Sequence, residues 1–270
     1  MTCVVNRELG VELENSEVNA FVSRLTALQE MDGNPMGVDI QKFGDATVFT
    51  VTGIPGPSFN TVKGLTDQDK EYIEDIIHFY GKKKMPVRFE LTPAHVSSEL
   101  LSYLHTLGFY QVDFHTSLYK EAGSAIREEK AESHISIREL ERDEFDTFAE
   151  IYVNGFGMPS FLKNGVAKNN EILHNKPDWT FYLASADNVP AGIGVLHMKD
   201  GIAMLAAAAT APSLRNRGVH SALINKRINQ ASLQECKFII GQAKFGSASQ
   251  TNMEKAGMRI AYTKAIWVKE

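Results

Sequence analysis

The chain has 270 residues, long for one compact domain and comfortable for two. With 43% hydrophobic and 23% charged residues it has the composition of an ordinary globular protein, which excludes a disordered or fibrous chain. A net charge of -5, with no basic run beyond Lys82-Lys83-Lys84, argues against a nucleic-acid partner.

No apolar run approaches the roughly 18 residues of a membrane helix, so no membrane partner is expected. The opening MTCVVNRELG lacks the charged and apolar regions of a signal peptide. Cys3 and Cys236, far apart, read as free thiols in a reducing, cytoplasmic compartment. The eight histidines show no HExxH and no Cys/His pairing at ligand spacing, so no metal site is expected.

In chain order, an amphipathic helix is predicted over about 14–31. Two strands follow in GVDIQKFGDATVFTVTG, turning at Gly44-Asp45. After a Pro/Gly-punctuated loop, TDQDKEYIEDIIHFYG reads as a helix. Thr66 and Asp69 form its capping box, Tyr72, Ile73, Ile76, Ile77 and Tyr80 its apolar stripe, and Gly81 its stop. PVRFELTP is a strand, SSELLSYLHTLG a short helix stopped by Gly108, and FYQVDFHTSLYKE a strand. Residues 124–133, polar and aperiodic, form the best linker.

The second half begins with the strand ISIREL and the helix DEFDTFAEIYVNGF, then a less regular region over 157–176. Three strands follow, joined by turns at Asp187-Asn188 and Lys199-Asp200-Gly201. A helix over VHSALINKRINQASLQE, the strand CKFIIGQAK, a short helix stopped by Gly257 and a closing strand complete the order. LGFYQVDFHTSLYKE lies on AGMRIAYTKAIWVKE without a gap. Tandem duplication explains this match in one structural context, chance similarity of two helix-strand units being the alternative.

The stretch TAPSLRNRGVHSALI, 210–224, carries a basic, glycine-containing turn from strand to helix. The first amides of a helix lack intrahelical partners and bear the positive end of its dipole. Gly218 permits close approach to the backbone, and Arg215 and Arg217 add charge, so the turn suits phosphate. Taken alone, the turn reads first as an ordinary solvated helix start, in which the two arginines carry no function. GxxxxGK[ST] and GxGxxG are both absent, and Gly192 and Gly194 have no third glycine.

The stretch resembles motif A of the GNAT superfamily of acyl-CoA-dependent N-acyltransferases, a strand, often a proline, then [QR]xxGx[GA] opening a helix. Here Thr210 and Pro212 precede Arg215-Asn216-Arg217-Gly218-Val219-His220. The element order of about 134–270 also resembles the family, and SQTNMEKAGMR resembles its motif-B helix. What the resemblance implies is an α/β (α+β) chain of two GNAT-like domains, 1–123 and 134–270. Each would have a mixed, largely antiparallel central sheet with helices on both faces.

It also implies an acetyl-CoA site. The pyrophosphate would lie on the amides of Asn216, Arg217, Gly218, Val219, His220 and Ser221, beside Arg215. The pantetheine arm would pair with Ala208, Ala209 and Thr210, and an N–H near Ala208 would polarise the thioester. Asn252 matches a coenzyme-contacting position. His220 replaces the usual Gly or Ala, and Met253 stands where the family often has an acidic tyrosine. Tyr262 and Ser249 are the remaining candidate acids. Their structural readings are a half-buried strand aromatic and a helix-cap residue. His197 reads as lining a strand face, and no general base is assignable among the residues, Gln242 being the only polar side chain on FIIGQAK before its lysine.

In the first half GPSFNTVKGLTDQD stands where motif A should lie, and Asp67 and Asp69 at the helix start would repel phosphate, so that half is expected not to bind coenzyme A. The leading expectation is acetyl transfer to a small-molecule amine by the second half. A non-catalytic acyl-CoA-binding or regulatory protein and a plain nucleotide-binding module are the alternatives. Oligomeric state is not readable.

Overall fold

The computed structural model describes residues 4–54, 56–123 and 134–269; the linker 124–133 and Cys3 lie outside them. Two compact units do not follow the chain order. The first comprises 1–117 with 243–245 and 260–270, the second 118–242 with 246–259. Among the described residues no helix is long and apolar enough to cross a membrane.

In the first unit, α1 (Arg7–Gln29) starts earlier than its apolar pattern suggests, because the Asn6 side chain accepts from the Leu9 amide at 2.9 Å and caps it. Strands β1 (Val38–Phe43) and β2 (Ala46–Val51) form the expected hairpin, and β3 (Thr61–Lys63) follows. Thr66 and Asp69 make the reciprocal capping box. The 3-10 helix that it caps, Asp67–Tyr72, runs directly into α2 (Ile73–Lys82). Gly81 does not stop α2; the chain leaves the helix at Lys83 and Lys84, whose φ is +56°. Next come β4 (Arg88–Leu91), α3 (Ser98–Thr106), stopped by Gly108 at φ +87°, and β5 (Tyr110–Glu121).

The strand order here is β1-β2-β3-β4-β11-β5, where β11 is Arg259–Val268. Period-2 alternation divides the side chains by face. Val62, Phe89 and Leu91 join a core with Ile73, Ile76 and Tyr80 of α2 and Leu100 and Leu104 of α3, against which Trp267 packs. Their sequence neighbours Lys63 and Glu90, with Lys264 of β11, meet Glu17 of α1 in a buried ion network. Lys63 Nζ lies 2.7 Å from Glu17, and Lys264 Nζ lies 2.5 Å from Glu17 and 3.1 Å from Glu90.

The second unit opens with β6 (Ile135–Glu139) and α4 (Phe145–Phe156). Within the region expected to be irregular, Lys163–Glu171 forms α5, a polar helix with Ala167 and Asn170 buried; its sequence lacks the stripe that would announce it. Strands β7 (Trp179–Ala186), β8 (Val189–Lys199) and β9 (Ile202–Thr210) then follow. Left-handed Asp187-Asn188 and Asp200-Gly201 supply the two tight hairpin turns. Helix α6 (Val219–Leu233), β10 (Phe238–Lys244) and α7 (Ala248–Lys255) complete it.

Its strand order is β10-β9-β8-β7-β6. The sheet is mixed and mostly antiparallel, with β9 parallel to β10 here and β3 parallel to β4 in the first unit. Phe145 and Phe148 of α4 pack edge-on against Phe181 of β7. On β8, Gly192 and Gly194 are required by close approach of α6. A Cβ on Gly192 would fall 2.6 Å from Val219 Cγ1, and one on Gly194 3.2 Å from Leu223 Cδ2.

Candidate active site

The basic turn at the end of β9 is built by local backbone chemistry. Ala211 donates to Ala191 at 2.8 Å, holding the exit of β9 beside β8. Pro212 starts a single 3-10 turn, and Asn216 (φ +61°) and Gly218 (φ +78°) then take left-handed conformations. The first helical bond of α6 runs from Ala222 to the Gly218 carbonyl at 2.9 Å. From Asn216 to Ser221, no backbone N–H has a hydrogen-bond acceptor among the described residues. These amides precede a helix of 15 residues, so the positive end of its dipole adds to them.

Arg215 and Arg217 each have a partner. Arg215 Nη2 donates to the Gly155 carbonyl at 2.7 Å, tying the turn to the end of α4. Arg217 pairs with Asp187 in the β7–β8 turn. Gly155 itself permits α4 to pass β9, since a Cβ there would lie 2.8 Å from that of Ala209.

Upstream of the turn, the β9–β10 ladder runs from Ile202↔Phe238 to Leu205↔Gly241. Beyond it, β9 stays paired with β8 as far as Thr210↔Gly192. The β8–β9 register shifts between Val195 and Leu196, which face Ala207 and Leu205, leaving Ala206 as the extra residue of a bulge. Thus Ala208, Ala209 and Thr210 lie past both the bulge and the end of the parallel ladder.

Arg227 holds that bulge, and no sequence motif marks it. It is 1% exposed, in the apolar face of α6, and donates to the carbonyls of Leu223 (3.0 Å), Val195 (3.1 Å) and Ala207 (3.0 Å). Burial pulls the guanidinium down to about 10, which leaves it charged at neutral pH. The one signal in the sequence is a charge falling between Leu223, Ile224, Ile228 and Ala231.

His220 and Asn252 come together across α6 and α7: the Asn252 amide nitrogen lies 2.9 Å from His220 Nδ1. That nitrogen can only donate, so Nδ1 accepts and the imidazole proton sits on Nε2. Burial, with Arg227 second, lowers His220 to about 4 and keeps it neutral. Ser249 is half-buried on the same α7. Met253, at the expected acid position, is 3% exposed, and its sulfur would be 2.6 Å from a Cβ on Gly241. A tyrosine ring would not fit that contact unchanged.

The other candidates lie elsewhere. Tyr262 belongs to the first unit, next to Gly10 of α1, and burial followed by Glu17 and Glu14 pushes its phenol well above the usual value. His197 is buried against Trp179, its ring nitrogens without hydrogen-bond partners, and burial lowers it to about 4. Among the described residues no group of three or more His, Cys, Asp or Glu is placed to hold a metal ion.

The corresponding helix start in the first unit is filled by its own carboxylates. Asp69 accepts from the amides of Thr66 and Asp45, each at 2.8 Å, and Asp67 accepts from the Ser97 amide at 2.8 Å.

Residues 136–253 match the model of the acetyltransferase (GNAT) family. No curated protein matches the chain. Among solved structures, a GCN5-related N-acetyltransferase from Kribbella flavida is similar with a TM-score of 0.65 at 14% identity, covering 92% of this chain and 95% of that one. A tandem GNAT protein from the clavulanic acid biosynthesis pathway is similar with a TM-score of 0.61 at 10% identity, covering 83% and 77%. A functionally unknown conserved protein from Staphylococcus epidermidis reaches 0.63 at 13% identity, covering 90% and 97%. Residues 136–253 are thus a domain of the GNAT acetyltransferase family, whose members are in general acyl-CoA-dependent acyltransferases, within a chain whose fold is also that of a tandem GNAT protein.

Proposed function

We propose that the second half, 134–270, transfers an acetyl group from acetyl-CoA to the amine of a small molecule in the cytoplasm, and that the half 1–123 does not bind coenzyme A. The observation that carries this reading is the run of unpartnered amides from Asn216 to Ser221 at the start of α6. They suit a pyrophosphate as donors without a competing acceptor. Asn252, tied to His220, is the contributor from α7.

Beyond the bulge, Ala208 to Thr210 offer a strand edge to the pantetheine arm, with small side chains that let it come close. An N–H near Ala208 is suited to polarise the thioester carbonyl. The neutral amine then attacks that carbon, the C–S bond breaks, and the amine's proton leaves through water, with the thiolate protonated in turn. Ser249 shares α7 with Asn252 and is the acid candidate within this unit; Tyr262 lies in the other unit. The segment 155–176 supplies the acceptor wall, where Phe156 and Phe161 expose apolar surface.

Met253 in place of an acid favours a second reading, an acyl-CoA-binding protein without catalysis. Calorimetric titration with acetyl-CoA, with ATP as control, followed by thiol release against an amine panel, separates these. One acetyl-CoA per chain, no ATP and thiol release is the expected result. Binding without release of thiol on any amine supports the second reading, and failure to bind acetyl-CoA overturns both.

A further inference from the structure

The first unit holds a cavity of about 580 Å³, within the size range of small-molecule sites. Thr47 of β2 lines it, is 1% exposed, and has no hydrogen-bond partner for its hydroxyl. His95, also in the wall, lies 3.0 Å from buried Glu14 as an ion pair. The carboxylate raises His95 above its ordinary value. Buried polar groups in folded proteins nearly always have partners, so an unpartnered buried hydroxyl on a residue of the cavity wall is a group that an occupant of the cavity would satisfy.

Exposed charges of both signs stand at the same wall. Arg7 uses only Nε, donating to the Ala94 carbonyl at 2.8 Å; its terminal nitrogens have no acceptor among the described residues. The Asp45 carboxylate likewise has no donor there, its backbone amide being taken by Asp69. Both line this cavity together with His95. The other two charges are engaged: Asp67 accepts from Ser97, and Lys42 reaches the Asp45 carbonyl at 3.4 Å. A purely anionic ligand would meet Asp45 unfavourably, and a purely cationic one would meet Arg7. Val11 and Val18 add apolar wall.

We propose that this cavity binds a small zwitterion of the amino-acid class, with its carboxylate on Arg7, its ammonium on Asp45, a hydrogen bond to Thr47 and its side chain toward Val11 and Val18. This site lies wholly within the first unit and does not rest on the coenzyme reading.

The test is calorimetric titration of the full chain with each standard L-amino acid at millimolar concentration. At least one is expected to bind, and its methyl ester and its α-keto acid to bind at least about tenfold more weakly. Thr47→Val and Asp45→Asn, checked for folding by circular dichroism, are expected to weaken binding by about tenfold or more while leaving acetyl-CoA affinity unchanged. Absence of binding by every amino acid overturns the proposal. So does an ester that binds as well as its parent, which would mean a cation site, or an equally tight keto acid, which would mean an anion site. Folded variants with unchanged affinity overturn it as well.

Discussion

Gly218 is both the N-cap of α6 and part of the bare amide run, and its φ of +78° suits glycine. Replacing it with glutamate costs about 1 kcal/mol of backbone strain and sets a carboxylate where phosphate would lie. Gly218→Glu is expected to abolish acetyl-CoA binding in calorimetry while its circular dichroism stays that of the parent. Unchanged affinity would remove the pyrophosphate from this turn. Arg227 belongs to the same scale. Arg227→Met keeps the volume but strips donors from the Val195 and Ala207 carbonyls. Each buried acceptor left unpaired costs about 1–3 kcal/mol, so denaturant titration is expected to show a loss of roughly 2–5 kcal/mol.

Among elements, α1 buries not only Leu13, Leu25 and Leu28 but also a charge, Glu17, which pairs with Lys63 of β3 and Lys264 of β11. Glu17, Lys63, Glu90 and Lys264 are each less than about a tenth exposed, and each charge has an opposite neighbour. A buried pair is hard to improve and costly to break, since one removed partner leaves the other charge uncompensated. Lys264→Met is expected to destabilise the protein by about 3–5 kcal/mol, read from the denaturation midpoint. Despite burial, the lysines hold Glu17 and Glu90 below the ordinary carboxylate value of 4.5. Their stabilisation is therefore present above pH 4.5 and is lost as pH falls through the lower folded values. Lys264 is raised above its ordinary 10.5 by Glu17 and Glu90, so its share is present below that pH and is lost only at higher alkalinity. Thermal melts across pH 2 to 5 check the acid limb, with the parent expected to fall more steeply than Lys264→Met.

For the molecule as a whole, local rules carried most of the reading. The capping box at Thr66 and Asp69, the left-handed turns at Asp187-Asn188 and Asp200-Gly201, and Gly108 are all signals contained in a few adjacent residues. The basic turn was legible for the same reason. Long-range packing was not. Gly192 and Gly194 answer to Val219 and Leu223, Arg227 to carbonyls 20 and 32 residues away, and Met253 to Gly241. The cavity beside Thr47 draws on α1, β2 and the segment at His95, which no window of sequence joins. Nor does any local pattern tell that residues 260–270 group with 1–117.

That grouping has an expected outcome of its own. A fragment of residues 1–123 lacks Lys264 and the strand beside β4. It is expected to be unfolded by circular dichroism and to gain structure when a peptide spanning 258–270 is added; a fragment that folds alone would overturn this. The same feature sets a timetable for biosynthesis. Residues 1–117 leave the ribosome long before β11 exists, and everything from 118 to 259 is made in between. Through that interval β4 has an open edge, and Glu17 and Glu90 have one lysine instead of two. Residues 1–117 are thus completed only after 118–259 have been made, and until then their open edge needs protection from pairing with something else.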